Sequence, residues 1–387
     1  MSRWEYRLAS ILLRILGAAF ALLPVRRRQV VLATARLPVL EGNLLFLDAA
    51  IRRLRPGTPV VHLLEPYAYG LSGKVQYLVR LVRGMYYLRT SGLVIIDNAW
   101  LPVHVAPHGP GTTVVQVWHA AGALKRFGAD TLSGLEEPEA TFLHRHYDYA
   151  IASGEAGREP WSRALRTPLD RVLPLGTPRT DLFYDVEALA AAKARILAAY
   201  PILAGRTVVL YAPTFRGRGR AKAGSAALDA AALRASLPAT HLLVLKSHPN
   251  LDPAGLATAG FDVVADPGSD MNDWLAAADI LVTDYSSSIY EWALMRRPLV
   301  LLVDDLEAYE RDPGLYLDYR TGMIGVQVRD TAGVAAAIAA GDWDLDAYEA
   351  FVARNLGACD GRSSERIVER FIPARGGPAG PGPGSAH

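Results

Sequence analysis

Short apolar runs without polar alternation recur along this chain, and they constrain its fold more than any other feature. QVVLATA at 29–35, PVVHLL at 59–64, LVIID at 93–97, TVVQVW at 113–118, YAIAS at 149–153 and RVLPLG at 171–176 form one series. TVVLYAP at 207–213, HLLVLKSH at 241–248, DVVAD at 262–266, DILVTD at 279–284 and PLVLLV at 298–303 form a second. Strands apolar on both faces must be covered on both faces, and the helical stretches between them supply the cover, so the pattern predicts parallel sheets. Two such series in 387 residues predict two Rossmann-like, doubly wound α/β domains facing a central cleft. The alanine-rich helix DVEALAAAKARILAAYPILAGR between the series reads as the interdomain connection, which places the domains at 29–190 and 191–372. The Pro/Gly-rich end, 373–387, reads as a disordered tail.

Charge adds a membrane to the picture. The formal net charge is only +2, but residues 1–30 carry six arginines against Glu5, and residues 71–90 carry Lys74, Arg80, Arg83 and Arg89 with no acid. Both segments are also apolar. ILLRILGAAFALLPVRRR is too short to cross a bilayer, which takes about 20 apolar residues. It also lacks a small-residue cleavage site, and basic residues follow its apolar run, so it does not read as a signal peptide. Residues 1–28 and the basic stretch VQYLVRLVRGMYYLR are therefore expected to lie on an anionic membrane surface, the bland alternative being helices packed on a sheet. Nucleic acid is not an expected partner, because no binding motif accompanies the aliphatic-rich basic segments. The single cysteine, Cys359, excludes an intramolecular disulfide and fits a reducing compartment.

Four stretches fall at or just after strand ends, where ligands bind in open α/β sheets. The first is HAAGALKRFG, with His119, Gly122, Lys125 and Gly128. The second carries Thr214 and Arg216, and the third, LKSHPN, carries Lys246, Ser247 and His248. The fourth is TDYSSSIYEWALMRRPLV. There Asp284, Ser286, Ser287 and Ser288 lead into a helix, so free backbone N–H groups, hydroxyls and a positive dipole end converge as an anion site suited to a diphosphate. Glu291, three residues past Ser288, either completes a capping box or accepts from sugar hydroxyls. Arg216 and Lys246 are candidates to neutralise the same anion. Gly122 either lets backbone approach a phosphate or permits close helix packing. No Walker loop and no G-x-G-x-x-G is present, which argues against a P-loop kinase or a nicotinamide dehydrogenase.

A lone histidine at a strand end is more often structural than catalytic. His119 and His248 come from different halves of the chain, however, and both stand at such ends. No metal-ligand spacing accompanies them, so neither a metal nor a cofactor is expected. His104 and His108 read as loop residues, and His144 and His146 as part of a polar helix face.

VWHAAGALKRFG, LPLGTPRTDLFYD, VVLYAPTFRG, LKSHPN and ADILVTDYSSSIYEWALMRRPLVLLVDDLEAYERDPGLYLDY, taken in order, resemble the CDP-glycerol glycerophosphotransferases of teichoic acid synthesis. The resemblance implies the GT-B arrangement of two Rossmann-like domains. It also implies work at the cytoplasmic face of the bacterial membrane, as a peripheral protein. The His-Ala-Ala-Gly form and the length look like the priming branch rather than the polymerases. The implied reaction moves glycerol phosphate from CDP-glycerol to a hydroxyl of an undecaprenyl-diphosphate-linked saccharide and releases CMP. His119 would take the acceptor proton, while His248, Arg216, Lys246 and the serine amides would stabilise the departing CMP. Gly176, Arg179 and Asp181 of GTPRTD would face the cleft from the first domain, with Arg179 alternatively a structural ion-pair partner. CDP-ribitol with the same chemistry, a polymerase, and a glycosyltransferase using a sugar nucleotide stand as rivals, as does a non-enzymatic polymer-binding protein.

Overall fold

In a computed structural model, the described residues are 3–36, 38–65, 70–131, 143–214, 228–247 and 258–374. They form two compact units. Unit 1 holds residues 1–121, 126–181 and 357–387, and unit 2 holds 122–125 and 182–356.

Unit 1 contains β1 (Arg26–Thr34), β2 (Val60–Leu64), β3 (Ser91–Ile96), β4 (Thr113–Gln116), β5 (Tyr149–Ile151) and β6 (Val172–Leu173). They make one parallel sheet in the order β2-β1-β3-β4-β5-β6. The order reverses between β1 and β3, and that is where open α/β sheets present their ligand crevice. Three helices precede or link the first strands: α1 (Arg3–Phe20), α2 (Gly42–Leu54) and α3 (Gly70–Thr90). The inward faces of β1, β3 and β4 pack Val30, Leu32, Leu93, Ile95 and Val115 against Leu44, Leu47 and Ile51 of α2. All eight are buried.

Unit 2 contains β7 (Thr207–Ala212), β8 (His241–Leu245), β9 (Val263–Val264), β10 (Ile280–Thr283), β11 (Leu299–Leu302) and β12 (Val326–Val328). Its sheet is also parallel, in the order β12-β11-β10-β7-β8-β9, with the reversal between β7 and β10. Val209, Leu243, Val282, Val300 and Leu302 meet Leu233 and Val334 in its core. The expected strands are all present. β12 was not expected from the sequence, because it is a three-residue edge strand of intermediate burial whose polar Gln327 breaks the apolar run.

The domain limits differ from those expected. The chain passes from unit 1 to unit 2 between Asp181 and Leu182, so the helix Val186–Ala199 belongs to unit 2 rather than serving as a connection. Asp185 caps that helix by accepting from the Ala188 N–H, and Pro201 follows its end. The chain then returns to unit 1 at Gly357. The helix Ser363–Phe371 buries Ile367, Val368 and Phe371 in the unit 1 core. Its N-terminus is fixed by Asp181, whose carboxylate accepts from the N–H groups of Ser363 and Ser364. Asp181 is thus a helix cap, which corrects its expected place facing a cleft. Gly176, with φ +91°, serves the same return: a Cβ there would stand 2.2 Å from the Ala358 carbonyl oxygen. Most of the expected disordered tail, 375–387, lies outside the described residues.

Candidate active site

In unit 1 the residues after the two strands of the reversal and after their neighbour β4 form one cluster: Arg36 after β1, Asp97 after β3, and Trp118 and His119 after β4. The His119 Nδ1 lies 3.3 Å from the Asp97 carbonyl oxygen. A carbonyl only accepts, so Nδ1 carries the proton and Nε2 is left as the basic nitrogen. Burial, followed by the Arg36 and Arg179 guanidiniums, pushes the His119 imidazolium down to about 3, so the ring is neutral at neutral pH. Burial also raises the Asp97 carboxyl, with Thr34, Arg36 and Arg179 opposing the rise.

The backbone feeding His119 is strained. Trp118 has φ +53°, a left-handed conformation that costs a bulky residue about 1–2 kcal/mol. Hydrogen bonds from both sides hold it there. The Trp118 N–H donates to Gln116 Oε1 at 2.8 Å, and Asn43 Nδ2 donates to the Trp118 carbonyl at 2.8 Å. The Trp118 ring stacks on Phe127, with centroids 4.7 Å apart, and meets His144 edge-on.

His104 lies on a short helix, Leu101–Val105, rather than in a loop, and His144 and His146 are both left-handed rather than on a polar helix face. His144 and His104 are both buried, and each places a ring nitrogen on the Tyr147 hydroxyl, at 3.1 and 2.9 Å. Burial holds His104 well below the usual imidazole range and lowers His144 to about 4. His108 instead pairs through Nε2 with Asp148 at 3.1 Å, a contact that raises it against the cost of burial.

In unit 2 the two strands flanking the reversal are tied to each other. Thr214, just after β7, donates its N–H to Asp284 Oδ1 at 2.9 Å and its hydroxyl to Oδ2 at 3.0 Å. Asp284, just after β10, also accepts the Tyr285 N–H at 2.7 Å, and its carbonyl accepts from the Tyr319 hydroxyl. Thr214 therefore spends its one hydroxyl proton on Asp284, and the pair braces the switch point. Lys246, buried after β8, donates from Nζ to the carbonyls of Asp266 and Pro267 at 3.2 and 2.8 Å. It supports that loop, and burial lowers it to about 8.

The serine turn forms as expected. The helix Ser288–Met295 begins after Ser287, which makes no side-chain capping bond, and the Ser286 and Ser288 hydroxyls lie 2.7 Å apart. The capping-box reading of Glu291 is corrected, because Ser287 rather than Ser288 is the cap. Glu291 stands one turn into the helix and is buried. Gly122 resolves to packing: a Cβ would sit 2.0 Å from the ring of buried Tyr290. Lys125 lies in the same unit, with Nζ 5.2 Å from the Tyr309 ring centroid. Arg216 and His248 lie outside the described residues.

The model of the family described as CDP-glycerol:poly(glycerophosphate) glycerophosphotransferase matches residues 16–372. The chain belongs to that family. Among its relatives is a teichoic acid ribitol-phosphate primase of Bacillus spizizenii, 32% identical over 94% of this chain and 96% of the relative. The teichoic acid glycerol-phosphate primase of Bacillus subtilis is 25% identical over 75% of this chain and 76% of the relative. The chain spans 60% of a poly(ribitol-phosphate) polymerase from Bacillus spizizenii, at 28% identity. Among solved structures, the wall teichoic acid polymerase TagF superposes with a TM-score of 0.73, covering 95% of this chain and 96% of that one at 17% identity. That likeness extends to the fold.

For a glycerophosphotransferase, the sequence had marked His119 but not what holds it. Asn43 and Asp97 carry no motif, and Trp118, although part of VWHAAGALKRFG, was not marked for a role, nor was Gln116 beside it. The one available signal was that Asp97 and Gln116 end or interrupt apolar runs, where a buried polar side chain has to find a partner.

Proposed function

We propose that this glycerophosphotransferase primes teichoic acid. It moves a polyol phosphate from a CDP-polyol to a hydroxyl of a membrane lipid-linked saccharide and releases CMP. The observation that carries the chemistry is the contact of His119 Nδ1 with the Asp97 carbonyl, which commits the ring proton to Nδ1 and leaves Nε2 to take the acceptor's proton. In this reading the acceptor oxygen attacks the polyol-bearing phosphorus and the bond from that phosphorus to the bridging oxygen breaks. CMP leaves with the electron pair. The donor diphosphate is assigned to the serine turn of unit 2, where the Ser287 hydroxyl is not used for capping. Arg216 and His248 keep their assignment as donor-side groups. A TagF structure of this fold, at a TM-score of 0.71, was soaked with CDPG, which supports a CDP-alcohol as donor. Priming is supported by the 32% identity to a teichoic acid primase over 96% of that relative, against 28% to the polymerase.

Glycerol is the polyol in the family's description. A second reading, ribitol, is favoured by the 32% identity to the ribitol-phosphate primase, against 25% to a glycerol-phosphate primase. The deciding experiment offers the purified chain a short-chain lipid-diphosphate disaccharide with CDP-glycerol, CDP-ribitol or UDP-N-acetylglucosamine. The expected result is CMP release with one CDP-polyol and a product heavier by one polyol phosphate. Consumption of the UDP-sugar, or no CMP from either CDP-polyol, overturns the reading.

The membrane assignment rests on one face of unit 1. Trp4, Leu8, Ile11 and Ile15 follow one another at helical spacing on α1, and all four are exposed. Val75, Leu78 and Val79 are exposed on α3, against which α1 packs through Gly17 on Met85 and Phe20 on Tyr86. Among the described residues no helix is long and apolar enough to cross a membrane. The basic residues divide into two groups. Arg14 donates to the Val105 carbonyl, Arg89 to those of Gly17 and Pro107, and Arg83 pairs with Glu65, so these three hold the helices in place. Exposed Arg7, with Arg26, Arg27 and Arg28 at the start of β1, is assigned to anionic headgroups at the cytoplasmic face.

A further inference from the structure

Asn43 is 2% exposed and sits in the first turn of α2, far in sequence from any residue marked as chemical. Its side chain bridges three segments. Nδ2 donates to the Trp118 carbonyl at 2.8 Å and reaches the Val117 carbonyl at 3.5 Å, while Oδ1 accepts the Arg179 N–H at 3.0 Å. Those contacts match the capacity of a primary amide, two N–H donors and a carbonyl, and no other side chain of similar size offers both. The bridge ends on the peptide that joins Trp118 to His119. That peptide follows a left-handed tryptophan, a conformation that relaxes to φ < 0 unless its surroundings forbid it. Gln116, fully buried, opposes Asn43 from the other side by accepting the Trp118 N–H and donating to the Asn98 carbonyl at 3.1 Å.

We infer that Asn43 is a positioning residue for the transfer reaction: with Gln116 it clamps the strained Trp118 peptide and so fixes where the His119 imidazole stands, while its Oδ1 ties the Arg179 backbone to the same point. The inference rests on His119 being the base of the proposed function. If the clamp opens, Trp118 relaxes and the ring of His119 turns with the peptide that carries it, so Nδ1 leaves Asp97. A misplaced catalytic group costs rate rather than donor affinity.

Asn43→Asp tests this by keeping the acceptor for Arg179 and removing the donor to Trp118. With whichever of CDP-glycerol and CDP-ribitol releases CMP, the expected result is a kcat lower by about 30- to 100-fold with donor KM within about twofold of the parent. In a His119→Ala background the same substitution should cost no further rate, because a residue that acts through another adds nothing once that one is gone. A donor KM that rises with kcat unchanged, a kcat equal to the parent's, or losses that multiply in the double variant would each overturn the inference. Should Asn43→Asp fail to fold, Gln116→Met removes the opposing arm at nearly constant volume and is judged by the same ratios. If both variants fail to fold, the amides hold the domain and not the base, and the inference is overturned. A parent chain releasing no CMP from either donor fails the functional reading instead, and the two failures are thereby told apart.

Discussion

At the switch point of unit 2, Thr214, Asp284, Tyr285 and Tyr319 satisfy one another through hydrogen bonds, with Asp284 taking three at its carboxylate. One strand beyond the switch point of unit 1, after β4, Trp118 is held left-handed, and around it the imidazoles of His104, His119 and His144 are all driven toward the neutral form. A satisfied polar network makes a rigid receptor. Strain and desolvated imidazoles are the opposite arrangement, tolerated where a group must keep a reactive lone pair. The proposed function places binding on unit 2 and proton transfer on unit 1, and substitutions can separate the two.

The largest effect falls on unit 1. His119→Ala should lower kcat by about 100- to 10,000-fold and leave donor Kd within about twofold. Steady-state CMP release and calorimetry with the donor check this, and a variant keeping more than about a third of parental kcat makes His119 a packing residue. Next, replacing Arg7, Arg26, Arg27 and Arg28 by glutamine should remove about 1 kcal/mol of vesicle affinity per residue. The loss should be greatest at low salt, while activity on a water-soluble acceptor survives. Sedimentation with anionic vesicles unchanged from the parent would reduce these arginines to a solvated face.

Acid stability sharpens the comparison further. His104, His119 and His144 bind protons less readily when folded than at their ordinary value of 6.5, so the unfolded chain takes up more protons as pH falls below it. The contribution of these three should therefore be level above about pH 6.5 and decline below it, His144 alone accounting for up to about 3 kcal/mol. His108 works the other way: its raised value adds stability below 6.5 that is lost as pH rises through its folded pKa. His144→Phe should flatten the acid limb of a Tm-versus-pH series, and an unchanged limb would mean the imidazole is charged in the fold. The smallest effect belongs to unit 2. Ser287→Ala should weaken donor binding by about 10- to 100-fold, the worth of one hydrogen bond to a charged phosphate, with the transfer step itself little changed.

Much of this architecture was legible because fully buried parallel strands are apolar on both faces, and LVIID and DILVTD can hardly be anything else. The strand ends were legible for the same reason, which is why His119, Thr214, Lys246 and Asp284 were found at once. Their roles were less so. Whether Thr214 faces a ligand or Asp284, or Lys246 a phosphate or two carbonyls, depends on hydrogen bonds between segments 20 to 70 residues apart. The return of the chain to unit 1 was hidden because the apolar stripe of Ser363–Phe371 does not say which sheet it covers. Asn43 was invisible, since its significance lies in the φ of Trp118.

The central claim is that His119 stands as a neutral imidazole with its proton on Nδ1 and its lone pair on Nε2. Long-range proton–nitrogen NMR on the chain labelled with 15N-histidine, assigned by difference against His119→Gln, reads that state directly. The account predicts a single Nδ1–H tautomer for His119 that stays neutral from pH 8 down through about pH 5. An Nε2–H tautomer, or an imidazolium at neutral pH, would contradict it.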